Sequence, residues 1–347
     1  MNSPNDSSWL LGPFIRPKDG NPVLKPNPDA TFQCPIRKVP VLWEKNDIFN
    51  PAAVVKDGKV YLLYRAEDGF GQYKIGRHTS RLGLAESADG IHFTKMPTPV
   101  VFPDNDREKN HEWPGGCEDP RLVEGENGEY ILAYTEKDHL ISRLGIATSK
   151  DLIHWTKHGL AFHKPLLPWK TFDTKAASIV CQLVDGRLKA VKIHGKYWMY
   201  WGVRHIYLAS SEDLIHWKTH KKLLSRRPGY FDTTVAEAGP PALLTEKGIV
   251  LLYNAKNDQE NGDPTLPHKL YTCGQILFDK DDLTKVLART DHPFFQPELP
   301  WELTGQYKWG TCFIEGLVYF HEKWFLYYGG SDSVCGVAIW DPKTSKN

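Results

Sequence analysis

The run Ser80-Arg81-Leu82-Gly83-Leu84-Ala85-Glu86-Ser87, continued by Ala88-Asp89-Gly90-Ile91-His92-Phe93, decides the fold because it recurs. It returns as Ser142-Arg143-Leu144-Gly145-Ile146-Ala147-Thr148-Ser149 with Lys150-Asp151-Leu152-Ile153-His154-Trp155 behind it. A third copy reads Tyr207-Leu208-Ala209-Ser210-Ser211, then Glu212-Asp213-Leu214-Ile215-His216-Trp217. Ala85, Ala147 and Ala209 are 62 residues apart at each step. Ahead of each copy stands a turn and a short aromatic and β-branched run, such as Gly58-Lys59-Val60-Tyr61-Leu62-Leu63-Tyr64. Equivalent runs occupy 128–134, 195–200, 248–253 and 322–328, five in all. Such runs read as strands, and helical periodicity is missing nearly everywhere. One unit alone cannot bury both faces of its sheet. Five units without intervening helices therefore predict an all-β, five-bladed β-propeller.

The same reading predicts one propeller over 41–347, preceded by an extended segment, 1–40, that packs on it. Pro13, Pro17, Pro22, Pro26 and Pro28 keep that segment out of regular structure. It either wraps the propeller or reaches a neighbouring subunit in a homo-oligomer. The Asp-Gly-Ile-His-Phe and Asp-Leu-Ile-His-Trp segments read as turns between outer strands. Their histidines read as structural hydrogen-bonding groups, and their rings as packing between blades.

Composition narrows the function. Lys+Arg 43 against Asp+Glu 42 gives a formal charge of +1, so no global field draws nucleic acid or an anionic membrane. No stretch approaches the roughly 18 apolar residues of a membrane-spanning helix. With 41% hydrophobic and 24% charged residues the chain is not of the disordered class. Twelve Trp, 15 Tyr and 15 Phe suit strands, and they suit sites where sugar rings stack on flat side chains. The six cysteines, Cys34, Cys117, Cys181, Cys273, Cys312 and Cys335, show no metal-ligand spacing and read as buried thiols. No cofactor or metal is indicated, since His111-Glu112 and the scattered histidines lack ligand spacing. The start Met1-Asn2-Ser3-Pro4-Asn5-Asp6-Ser7-Ser8 lacks the basic and apolar parts of a secretory leader. The compartment stays open between cytoplasm and, with a leader trimmed away, periplasm.

Function must come from residues that break the repeat where the inner strands converge. Asn50 precedes the first strand pair in Phe49-Asn50-Pro51, Arg65 follows Tyr64, and Arg81 opens the next strand. Glu118-Asp119-Pro120-Arg121 stands at the corresponding entry to the second unit, and Asp332 follows the last strand. Each alone reads equally as a solvated loop residue or a salt bridge; their recurrence at equivalent positions points to a shared channel. Proline after Asp119 biases that residue toward extended geometry, and Gly115-Gly116 would admit a ligand close to the backbone. A carboxyl there can act as the acid of glycosidic bond cleavage, or merely cap backbone amides.

These residues resemble those of glycoside hydrolase family 130, the β-mannoside phosphorylases and β-mannosidases. The resemblance rests on Phe49-Asn50-Pro51, Tyr64-Arg65-Ala66, Ser80-Arg81-Leu82-Gly83, Cys117-Glu118-Asp119-Pro120-Arg121, Ala238-Gly239-Pro240-Pro241 and Tyr328-Gly329-Gly330-Ser331-Asp332, in that order over roughly 20–342. It implies a five-bladed propeller and a mannoside oligosaccharide substrate. It also implies that Asp119 is the catalytic acid, working partly through a substrate hydroxyl. Asn50, Arg65, Arg81 and Asp332 would hold the terminal mannose, with Glu118, Arg121 and Tyr253 as neighbours.

Phosphorylases of the family carry Lys-Ile-Gly-x-Gly-Pro-Pro before the fourth strand pair and Tyr-His-Gly at its end. Here those stretches read Val235-Ala236-Glu237-Ala238-Gly239-Pro240-Pro241 and Tyr253-Asn254-Ala255. Losing two cations and gaining a carboxylate disfavours phosphate and suits activation of water. This resembles the hydrolytic, β-1,2-mannoside branch, with inversion and exo action. Glu237 is the first candidate for the base and Glu315 the second; Glu237 reads otherwise as the partner of a channel arginine. Direct inversion predicts carboxylates about 6.5–9.5 Å apart. The alternatives are a phosphorylase, using Lys175, Arg187, Lys192 or Arg204 for phosphate, and a propeller that binds sugar without cleaving it. Arabinanase- or fructosidase-type propellers would need a different carboxylate triad.

Overall fold

Alternating apolar runs closed by tight turns can satisfy their backbone only by pairing with the next run, and the chain does this throughout. The computed structural model describes residues 7–69, 78–138, 140–162 and 173–344; Met1–Asp6, read above for a leader, lies outside them. Among the described residues there are 23 strands and two single-turn helices, α1 (Lys109–Glu112) and α2 (Pro300–Leu303). Among the described residues no helix is long and apolar enough to cross a membrane. The protein is all-β.

After a hairpin of β1 (Thr31–Cys34) and β2 (Val39–Leu42), the strands group into five antiparallel meanders. The first holds β3 (Asp47–Lys56), β4 (Lys59–Glu67), β5 (Ser80–Ser87) and β6 (Thr94–Lys95). The second holds β7 (Gly116–Glu124), β8 (Tyr130–Lys137), β9 (Ser142–Ser149) and β10 (Thr156–Leu160). In the third, β11 (Ala177–Val184) pairs with both β12 (Arg187–Ala190) and β13 (Tyr197–Trp201), which leads to β14 (His205–Ser211) and β15 (Lys218–Ser225). In the fourth, β16 (Val235–Ala238) and β17 (Ala242–Thr245) share β18 (Gly248–Lys256), followed by β19 (Tyr271–Phe278) and β20 (Val286–Arg289). The fifth is β21 (Cys312–Phe320), β22 (Lys323–Gly330) and β23 (Val334–Trp340). Val184-Asp185-Gly186-Arg187 is the β11–β12 turn, with Asp185 and Gly186 both at positive φ as a two-residue hairpin requires.

The repeat's turns carry one device three times. Asp89 Oδ1 accepts from the backbone N–H groups of Ile91 and His92, and its Oδ2 lies 2.7 Å from His92 Nδ1. Asp151 with His154 and Asp213 with His216 repeat this, again at 2.7 Å. The histidines are thus turn-closing partners. The turn rings differ in depth: Trp217 is buried, and Phe93 meets Tyr327 of the last meander edge-on at 5.8 Å. The N-terminal stretch lies along β23, where Ile15 exchanges backbone hydrogen bonds with Ile339 and Val23 donates to Cys335. The boundary expected at residue 40 falls inside the β1–β2 hairpin. All six cysteines are buried and unpaired.

The meanders' first strands come together. Arg121 of β7 donates to the carbonyls of Ala238 and Gly239, and Ser178 of β11 donates to Gly239 as well. Gly316 of β21 packs so closely on β3 that an added Cβ would stand 2.7 Å from the Pro51 carbonyl oxygen. The candidate site lies at this convergence.

Candidate active site

Two proline-marked bulges build the site. The β3–β4 register slips between Phe49 and Ala52, and the β7–β8 register slips between Glu118 and Arg121. Asn50 and Asp119 occupy the slipped positions with φ of 49° and 45°. This corrects the extended geometry expected for Asp119: the residue before the proline sits in the left-handed region, which Asn and Asp tolerate best. The bulge turns both side chains out of the ladder and toward each other. Asn50 Nδ2 donates to Asp119 Oδ1 at 2.9 Å. Asp332, after β22, also has positive φ, 53°. Strained backbone of this kind collects at functional sites.

Asn50, Arg65, Asp119, Glu237 and Asp332 all line one pocket of ≈ 210 Å³, together with Phe49, Lys175, Tyr271, Tyr307, Thr311 and Phe313. Arg65 Nη1 donates to Asp119 Oδ1 at 3.0 Å, while its Nη2 reaches Glu67 and Glu118. Lys175 Nζ donates to Asp119 Oδ2 at 3.0 Å and lies 3.4 Å from Glu237 Oε1. One ammonium thus bridges the two candidate catalytic carboxylates. Their nearest oxygens are no farther apart than those two distances together, which lies below the expected range of about 6.5–9.5 Å. The sequence offers Lys175 only as a phosphate ligand; its place in a loop before β11 gives no sign of this bridging.

The two carboxyls are driven apart in acidity. Burial alone would raise Asp119, but Lys175, then Arg65 and Arg121, and the Asn50 hydrogen bond hold it well below the usual carboxylate range. Burial pushes Glu237 up, against the pull of Lys175 and Arg121. Glu237 Oε1 meets Lys175 and Arg121 only at ion-pair distances and, like the buried Asn50 Oδ1, accepts no well-formed hydrogen bond among the described residues. Both are acceptors that a sugar hydroxyl or a water could fill.

Burial also lifts Asp332, to about 6, against Arg65. Between about pH 4 and 6 the unfolded chain has released this proton and the folded protein still holds it, so stability falls as pH rises through that window. Asp332→Asn is therefore expected to raise the thermal midpoint relative to the parent above pH 6, with little change near pH 4. Equal shifts at both pH values would show that the charge is not the cause.

Five expected site residues do not line the pocket. Arg81 is buried against Asp68 Oδ2 at 2.7 Å and the Thr79 carbonyl. Strand alternation explains this, because its neighbour Ser80 takes the inner face and contacts Arg65 and Glu118. Tyr253 likewise faces the core, donating to Asp232 Oδ2 at 2.8 Å. Glu315 and Arg121 form a fully buried pair at 2.5 Å behind the wall. Arg121 also lies 3.9 Å from Glu237. Glu118 is one layer back, held by Arg65 and Ser80. Of the other basic candidates, Arg187 pairs with Glu124 and Lys192 with Glu126, while Arg204 is exposed.

Two features lie outside the pocket. Glu108, His111 and Glu136 bring three possible ligand atoms within 4.8 Å of one another, which spacing in the sequence did not reveal because Glu136 comes from β8. Here the imidazole bridges the two carboxylates at 3.2 and 3.3 Å. A larger open groove of ≈ 450 Å³ by Phe102, Trp155 and Lys157 carries none of the site residues, and Lys157 is engaged by Glu112.

Comparison with known proteins fits this geometry. The family described as beta-1,4-mannooligosaccharide phosphorylase, Glyco_hydro_130, matches residues 16–344. A 1,2-beta-oligomannan phosphorylase from Thermoanaerobacter sp. (strain X514) is 34% identical over 310 residues, covering 88% of this chain and 93% of its own. A solved structure from work describing GH130 glycoside hydrolases that target β-1,2 mannosidic linkages in Candida mannan is 49% identical. It superposes with a TM-score of 0.94 over 96% of this chain and 95% of that one. A glycosyl hydrolase from Bacteroides ovatus is also 49% identical, with a TM-score of 0.93 over 97% and 95%. A family match across nearly the whole length, with relatives at this identity, places the chain in glycoside hydrolase family 130.

Proposed function

We propose that the chain is a five-bladed propeller, preceded by an N-terminal segment packed on it, that hydrolyses β-1,2-linked mannooligosaccharides. Terminal mannose is released with inversion, Asp119 delivers the leaving-group proton and Glu237 activates water. The observation that carries this reading is the Glu237 carboxylate on the pocket wall, across Lys175 from Asp119. A phosphorylase must receive a dianion at that place. The one lysine there is already shared by two carboxylates. Asn254, standing where phosphorylase relatives carry histidine, is tied on both sides to the Ile314 backbone. The pocket's volume suits one sugar ring rather than a threaded chain, in keeping with exo action.

A second reading, phosphorolysis, is favoured by the family description and by the activity of the 34% identical relative. One experiment separates them. Incubated with β-1,2-mannobiose, the protein should release two mannose molecules at a rate that added phosphate does not increase. Mannose 1-phosphate as the main product in phosphate buffer would overturn hydrolysis in favour of phosphorolysis. No turnover in either buffer, with mannobiose bound, would leave a sugar-binding propeller.

A further inference from the structure

An aromatic wall leads out of the pocket. Phe313 and Tyr271 stand at 6.0 Å between ring centroids, Tyr271 and Tyr307 at 5.2 Å, and Tyr307 and Trp309 at 5.5 Å. The first three line the pocket, whereas Trp309 is 47% exposed beyond it. The wall is fixed in place. Gln306 Nε2 reaches across to Asp47 Oδ2 at 3.0 Å and Glu67 Oε2 at 2.6 Å, and the Tyr307 hydroxyl donates to the Lys269 carbonyl at 2.7 Å. Lys256 Nζ stands 5.1 Å from the Tyr271 ring and 5.5 Å from the Tyr307 ring. It makes no hydrogen bond or ion pair among the described residues, so its three donors remain available. Burial, then Lys269, pushes the pKa of its ammonium down, against the pull of Asp332.

A flat apolar surface beside unspent donors suits the sugar ring, which has an apolar face and a rim of hydroxyls. A lone exposed tryptophan needs no explanation. One that continues a wall from the reactive carboxylates to the mouth, on a clamped loop, calls for a ligand. We infer that Tyr271, Tyr307 and Trp309, with Lys256 donating to hydroxyls, form the subsites for the sugars on the leaving-group side, so that the preferred substrate is a mannooligosaccharide longer than a disaccharide. This rests on the mannoside-cleaving reading above. If the terminal ring fills the pocket beside Asn50 and Arg65, the rest of the chain must leave through the mouth, along this wall.

The test compares β-1,2-mannobiose with β-1,2-mannotetraose. The parent protein should favour the tetraose in kcat/KM. Trp309→Ala should shrink that preference about five- to tenfold, the scale of one lost stacking contact, chiefly through KM. Trp309→Phe should restore most of it. An undiminished preference in Trp309→Ala, or an equal loss on both substrates, would overturn the subsite assignment while leaving the hydrolase reading intact. Should the parent cleave no mannoside at all, the hydrolase reading falls. Calorimetric binding of the tetraose then decides the subsite, weakened by Trp309→Ala if it exists and unchanged if it does not.

Discussion

Asp119→Asn should leave the protein folded and lower turnover of β-1,2-mannobiose by about 10²–10⁴-fold, the usual scale of a lost general acid or base. The amide keeps the size of the carboxyl, and its oxygen can still accept from Asn50 and Arg65, while its NH2 group cannot accept from Lys175. It cannot give up a proton. Activity within a few-fold of the parent would remove Asp119 from the mechanism. The acidities make this more than a routine substitution. The three donors on Asp119 hold it ionised, while burial leaves Glu237 the readier of the two to carry a proton. That ordering is opposite to the assigned roles. For Asp119 to act as the acid, the sugar must draw Lys175 or Arg65 onto its own hydroxyls, letting the Asp119 carboxyl recover its proton affinity. Leaving-group dependence is the deciding measurement. If Asp119 is the acid, Asp119→Asn should retain far more activity on 2,4-dinitrophenyl β-mannoside, whose leaving group needs no proton, than on mannobiose. If activity on both falls alike and azide restores it, Asp119 is the base and the roles must be exchanged.

The sequence made the sheet units legible because a repeat states the same constraint several times. The 62-residue spacing and the five aromatic runs needed no knowledge of tertiary contacts. Asn50, Arg65, Asp119, Glu237 and Asp332 do meet in one pocket. Their motifs sit at bulges and strand ends, where side chains leave the regular alternation. Arg81 and Tyr253 face away from the pocket for the complementary reason. Inside a regular strand, facing is fixed by a period of two, and a shift of one residue moves a side chain from site to core. Glu315 has the right chemistry at a neighbouring inner strand, yet Arg121 closes over it. Only the spatial arrangement shows which carboxylate reaches the pocket. Lys175, Tyr271 and Tyr307 were hidden differently. A lysine in a loop and two tyrosines among 15 carry no local signature, and their role arises from meanders distant in sequence.

Glu237→Gln should abolish hydrolysis, again by about 10²–10⁴-fold, while mannoside binding stays nearly intact. The contacts expected to hold the terminal sugar, from Asn50, Arg65 and Asp332, do not involve Glu237. Its amide would still occupy the same volume between Lys175 and Arg121. What is lost is the acceptor for the proton of the attacking water. A small anion that needs no deprotonation, azide or formate, should then restore turnover and give the corresponding α-mannosyl product. This is the reverse of the behaviour expected for Asp119→Asn, so the two variants together fix which carboxyl gives the proton and which takes it. Stereochemistry in the parent is the sharper observation. Lys175 lies between the carboxylates, so the product's configuration, rather than their separation, reports the face that water attacks. A single displacement by water must release α-mannose first from a β-mannoside, whereas a double displacement through a covalent sugar would release β-mannose. Early β-mannose in a time-resolved NMR spectrum would exclude Glu237 as the base of an inverting reaction. Azide-insensitive loss with α-mannose release in the parent would move the role to another group, with Glu315 admissible only if Arg121 swings aside.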